Sequence, residues 1–236
     1  MKKFLALFIV FSLFVLSSCS NDRESFHADF EITEQNRQMT EIIYNSEYTG
    51  ETFVFDSDSI NYSDIEDLFL SSLIFDDDSR IYLPKDQINV ALSGRFTADD
   101  IKALEEICDT LNLVPEFVGI QEVSLDNADY IINFSDEEYF ALHKDAYGTV
   151  SGADISIPYS LSSLERKTLL YKSIFRACGF QNLCDTPLDS ILSLRTCTDT
   201  FTDTDLLLLE VLYTVAEPDM LKDEFLQNAK NYFINK

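Results

Sequence analysis

The stretch Ile88-Asn89-Val90-Ala91-Leu92-Ser93-Gly94, followed after Arg95 and Phe96 by Thr97-Ala98-Asp99-Asp100, decides the fold class. Ile88, Val90 and Leu92 alternate with Asn89 and Ala91, which is the period of a half-buried strand, and Gly94 stops it. Thr97 supplies a hydroxyl cap and Asp100 an acid three residues on, so a helix opens there. Ile101, Leu104, Cys108 and Leu111 then share one helical face. A strand therefore feeds directly into a helix.

Outward from this unit, residues 116–120 and 130–134 read as strands, and Ile155 with Ile157 marks another after the turn residues Gly148 and Gly152. Ser162-Ser163-Leu164-Glu165 caps a helix that runs to Gly179, a suitable C-terminal stop. Thr202-Asp203-Thr204-Asp205 caps another, and its Leu206 to Leu209, Val211, Leu212 and Val215 are apolar all round, which predicts burial. Pro218 ends that helix, and a last one spans about 220–233. Upstream, Ser63-Asp64-Ile65-Glu66 opens a helix to about Ile74. Without repeats or low-complexity runs, the pattern predicts one main domain over residues 51–236, of α+β class with a mixed sheet and packed helices.

The N-terminus reads differently. Lys2 and Lys3 precede an apolar run from Phe4 to Leu16, and Leu16-Ser17-Ser18-Cys19 fits the lipobox of bacterial lipoproteins. The run is shorter than the roughly 18 residues a membrane span needs. Residues 1–18 are thus expected to be a signal peptide, Cys19 the lipidated first residue of the mature chain, and residues 19–50 a polar tether and lead-in. This places the protein in the bacterial cell envelope, held to a membrane by its N-terminal lipid and facing the periplasm or the exterior.

With 42 acidic residues against 17 Lys plus Arg and a net charge of −25, the body should repel nucleic acid and anionic lipid surfaces. Solubility of an exported protein is sufficient reason for the excess. A hydrophobic content of 46 % with 19 Phe and 11 Tyr is ample for a packed core.

Motifs that carry chemistry are scarce. The only histidines are His27, in the tether, and His143, too few for a His-rich zinc centre. Asp56-Ser57-Asp58-Ser59-Ile60-Asn61 begins like a calcium loop but has Ile60 at its fifth position and no glycine at the sixth. Asp76-Asp77-Asp78 and Asp136-Glu137-Glu138 have no ligand spacing and read as solvated loops. There is no G-x-S-x-G elbow and no phosphate loop. Paired carboxylates for glycoside hydrolysis meet only in three dimensions, so spacing does not select them. The residues give no catalytic group, no metal and no cofactor. Four cysteines remain beside Cys19, and an even count in an exported domain permits two disulfides. The short separation favours Cys184 with Cys197. A zinc site of all four thiolates lacks C-x-x-C spacing.

Residues 88–220 carry a further pattern: the 89–94 strand, Ala128-Asp129-Tyr130-Ile131-Ile132-Asn133-Phe134, Leu164-Glu165-Arg166, Ala177-Cys178-Gly179-Phe180 with Asn182, Ser190-Ile191-Leu192, the run from Phe201 to Leu209, Leu212-Tyr213 and Pro218-Asp219-Met220. In order and spacing this resembles the bacterial family known as domain of unknown function 2927, itself similar to matrixin-type zincin metallopeptidases. The resemblance implies a zincin-like fold. Zincins place H-E-x-x-H on the helix after the strands, where two imidazoles one turn apart hold zinc and the glutamate activates water. At those five positions this chain has Lys172-Ser173-Ile174-Phe175-Arg176. Asn182 falls in the region of the third ligand, and Leu192 takes the place of the methionine beneath the metal.

The resemblance therefore implies a pseudo-metallopeptidase that keeps its cleft to bind a peptide or an envelope protein. The alternatives are a hydrolase using other cleft residues and a structural component of the envelope. An open polar groove would favour binding or catalysis, and a filled cleft a structural role. If the helix sits as in zincins, Lys172 and Arg176 point toward the cleft, where they need a carboxylate or a bound anion; the other arrangement turns both to solvent. In such a fold Cys108 and Cys178 lie on flanking helices, either bonded or as buried thiols.

Overall fold

The computed structural model describes residues 62–73, 79–184, 189–194 and 198–235. The expected signal peptide, Cys19, the tether, His27, the 56–61 loop, Ile74, Asp76-Asp77-Asp78 and Cys197 lie outside the described residues. Helix α1 is Tyr62–Ser72. Strand β1 (Ile88–Gly94) leads into α2 (Ala98–Leu111), where the Asp100 carboxylate accepts hydrogen bonds from the Thr97 N–H and hydroxyl, both at 2.7 Å. Then come β2 (Ile120–Glu122), a single 3-10 turn, β3 (Tyr130–Ser135), β4 (Tyr139–Lys144), β5 (Val150–Pro158), α3 (Ser163–Ala177), α4 (Asp203–Val215) and α5 (Lys222–Asn235).

The five strands form one mixed sheet in the order β2-β1-β3-β5-β4. Four run parallel, with Ile88 opposite Ile120, Val90 opposite Tyr130 and Ile132 opposite Ile155. Strand β4 alone is antiparallel, at the edge, with Phe140 opposite Ile155. The domain is α+β, as the pattern of elements predicts, with α2 against β2, α3 against β5, and α2 and α3 against each other. Ile88, Val90, Ile132, Phe134, Ile155 and Ile157 are buried on the strands, whereas Asn133 and Asp154 in the same ladders are exposed. That alternation is what a sheet covered by helices on one face requires.

Several elements depart from expectation for physical reasons. The strand expected at 116–120 is displaced to Ile120–Glu122, because Glu116 (φ 60°) and Gly119 (φ 87°) are left-handed and no ladder runs through them. Strand β4 is not expected from the sequence, which reads Asp136-Glu137-Glu138 as a solvated loop. Of its residues only Phe140 is buried, so it has little periodicity of its own and its register comes from β5. On α2 the buried face is Asp100, Ala103, Leu104, Ile107 and Leu111, while Ile101 and Cys108 are half-buried. Each large aliphatic on that face contributes about 1.5–3 kcal/mol through burial.

Helix α1 begins one residue before the expected cap Ser63. Tyr62 is held by its hydroxyl to the Leu226 carbonyl at 2.8 Å and by its ring against Phe233, so docking on α5 draws it into the helix. Helix α5 starts two residues later than expected, since Asp219 adopts φ 70° and Met220 closes a turn onto Glu217. Helix α4 buries Leu208, Leu209, Val211 and Leu212, but Leu206 and Leu207 are only half-buried.

Candidate functional site

Helix α3 is the central element, buried at every residue from Thr168 to Ala177. Its start is fixed by a reciprocal cap: the Glu165 carboxylate accepts from the Ser162 N–H at 2.8 Å, and the Ser162 hydroxyl accepts from the Glu165 N–H at 3.3 Å. Arg166 ties it to α2 through an ion pair with the buried Asp100 at 3.1 Å. Its end is set by Gly179 at φ 119°, a backbone conformation that L side chains rarely adopt. The helix is thus clamped at both ends, and the faces of Lys172, Ser173 and Arg176 are fixed.

Both cations point inward. Lys172 is 1 % exposed and Arg176 2 % exposed, which removes the arrangement in which they turn to solvent. Lys172 donates from Nζ to the Ser193 carbonyl at 3.3 Å. Arg176 donates from Nε to the Gln181 carbonyl at 2.7 Å, and its guanidinium lies 3.9 Å from the centroid of the Phe140 ring. Such desolvated contacts hold a cation where water is excluded. Asn182, next to Gln181, is half-buried and donates its N–H to the Ser72 carbonyl at the end of α1.

The turn beneath α3 is built by Asp205. This carboxylate is fully buried, accepting from the Ser190 hydroxyl at 2.6 Å, the Ile191 N–H at 3.0 Å and the Thr202 N–H at 2.9 Å. One residue therefore caps α4 and shapes the Ser190-Ile191-Leu192 turn. Burial pushes its carboxyl up to about 6, against the lowering effect of those donors. Leu192 is fully buried, and its carbonyl accepts from the Cys184 N–H at 2.9 Å. The structure thus brings together Lys172, Arg176, the 181–182 segment and the Leu192 turn, the positions that the resemblance singles out.

Glu138 joins them and is not singled out by the sequence. It precedes β4 and influences Arg176 electrostatically; burial outweighs that attraction and pushes its carboxyl up to about 8. Its Oε1 is buried with no hydrogen-bond partner. Burial in turn pushes the Arg176 guanidinium down to about 10, partly offset by Glu138, so it stays charged at neutral pH. The signal that could have found Glu138 is its place before an aromatic pair, Tyr139-Phe140, which can carry an acid into the core. Glu138, Phe140, Ser156, Ile157, Leu169 and Ser173 line a recess too narrow to admit a water-sized sphere.

No family model and no curated protein matches this chain. Among the described residues no group of three or more His, Cys, Asp or Glu is placed to hold a metal ion, and no helix is long and apolar enough to cross a membrane. His143 pairs with Asp154 at 3.1 Å on the exposed side of the sheet, away from α3. Cys108 and Cys178 are free thiols, one half-buried and one fully buried; burial pushes the first up to about 11 and the second higher still. Cys184 is buried beside the Leu192 turn, and the expected clip to Cys197 extends outside the described residues.

Proposed function

We propose that this protein is a lipid-anchored bacterial envelope protein with a degenerate zincin-like domain that binds a peptide or protein partner without cutting it. The observation that carries the reading is the pair of buried cations on α3: Lys172 and Arg176, which the resemblance would align with the two zinc-binding histidines, direct their N–H groups to the Ser193 and Gln181 carbonyls. A divalent ion placed between them would meet two positive charges in a low-dielectric interior. Ser173, at the position of the general base, has no basic side chain. The order of elements, a strand and a long helix, further strands, the central helix, an irregular segment and a buried helix, is also the order the resemblance implies.

The recess beside Ser173 is too narrow for a side chain, so the reading puts the partner at the sheet edge. Strand β4 lies at that edge, and an extended peptide recognises such an edge through its main chain. The narrow recess also favours a second reading, a structural role in the envelope. The experiment that separates them incubates the detergent-solubilised lipoprotein with a randomised peptide mixture and zinc, reading both cleavage and retention by mass spectrometry. Binding predicts retained, uncut peptides with an extended pattern. Cleavage would overturn the non-catalytic reading, and retention of no peptide would favour the structural one.

A further inference from the structure

We infer that Glu138 and Arg176 form a proton-governed latch between the start of β4 and α3, which sets how firmly the edge strand is seated. The geometry has three parts. Phe140, on β4, is the residue under which the Arg176 guanidinium stacks at 3.9 Å, so strand and helix are joined by a buried cation on an aromatic face. Glu138, two residues earlier, leads into the same strand, and its Oε1 is buried without a hydrogen-bond partner. The recess they share with Ser173 is too narrow for a water that could solvate an ionised oxygen.

Among the described residues, Arg176 is the counter-charge that acts on Glu138. Of the other α3 cations, Arg166 pairs with Asp100, Lys167 with Glu106 and Asp199, and Lys172, one turn before Arg176, bonds the Ser193 carbonyl. The β5 residues at the recess, Ser156 and Ile157, carry no charge, and neither does Leu169. Tyr139 follows on β4, and Asp136 and Glu137 in the preceding turn are exposed. Burial holds the carboxyl at about 8 in the folded state, against an ordinary 4.5. A raised acid favours the folded arrangement fully below the ordinary value and loses that contribution as pH rises through the folded one. Glu138 is thus neutral and seated at pH 6.5; at pH 9 it is ionised and draws the start of β4 toward solvent.

The regulatory meaning rests on the proposal that β4 is the docking edge, whereas the latch itself does not. The test is hydrogen exchange of the full lipoprotein, measured over Tyr139–Lys144 at pH 6.5 and 9.0 and corrected for intrinsic rates. Wild type should show an opening constant about 30-fold larger at the higher pH, from the two carboxyl values above. Glu138→Gln, neutral at both, should lack that rise. Equal responses of the two proteins, or protection that increases with pH in wild type, would overturn the latch. Should the variant fold poorly, carbon NMR of the Glu138 carboxyl in wild type decides: a midpoint near 8 supports the latch and one below 6 overturns it. Loss of peptide binding at both pH values would refute the docking edge while leaving the latch intact.

Discussion

Replacing Arg176 by alanine tests whether the inward face of α3 is a packed polar core. The substitution removes a charge-assisted hydrogen bond to Gln181, of a kind that contributes about 1.5–3 kcal/mol. It also removes the stack on Phe140, for which about 2 kcal/mol is typical of a desolvated cation on an aromatic ring. A cavity remains beside Phe140. These contributions overlap, and with the cavity the expected loss is about 3–5 kcal/mol, the range for removing a large buried side chain. At about 2–4 °C per kcal/mol for a domain of this size, Tm should fall by about 6–20 °C. Urea unfolding followed by far-ultraviolet circular dichroism measures it directly. Arg176→Met, which keeps volume without charge, should lose less than the alanine variant. A loss under about 1 kcal/mol for Arg176→Ala would refute the packing seen here, since that is the range of surface substitutions.

Asp205→Ala should cost about 2–4 kcal/mol, because it removes the cap of α4 and orphans the buried Ser190 and Ile191 donors; chemical denaturation reads this. With its folded carboxyl raised to about 6 from 3.8, Asp205 contributes stability that is complete below about 4 and lost as pH rises through 6, so Asp205→Asn should flatten the pH dependence of stability in that window. Cys19→Ser should abolish lipid attachment and give an unprocessed or soluble product; membrane fractionation after signal removal checks it, and continued partition with membranes contradicts the anchor. Non-reducing peptide mapping should link Cys184 to Cys197, with about 3 kcal/mol of stabilisation for a loop of this length, and finding both thiols free would rule that clip out.

Much of the fold was legible because its signals are local. The caps at Thr97, Ser162 and Thr202 each satisfy orphan N–H groups within three residues, and the strand at Ile88 and Val90 needs only one covered face, although the expected alternation stops there: Ala91 is buried and Leu92 only half-buried. Strand β4 was hidden because an edge strand takes its register from its neighbour, and Tyr139-Phe140-Ala141-Leu142 alternates no more than a loop would. The cluster around α3 was half legible. Lys172, Arg176, Asn182 and Leu192 follow from a spacing of one helical turn and from the resemblance, but Glu138 lies 38 positions before Arg176, and no periodicity connects them. Asp205 illustrates the same limit: sequence marks it as a capping acid, whereas its hold on Ser190 and Ile191 is a tertiary contact.

Whether the Lys172 and Arg176 face works without a metal, as proposed, is read by measuring zinc in protein purified from bacterial membranes, together with its Tm before and after chelation. Far less than one zinc per chain is expected, with a Tm unmoved by chelator or by added zinc, because the Lys172 and Arg176 N–H groups already bond the Ser193 and Gln181 carbonyls. One tightly bound zinc per chain, whose removal unfolds the domain, would contradict it.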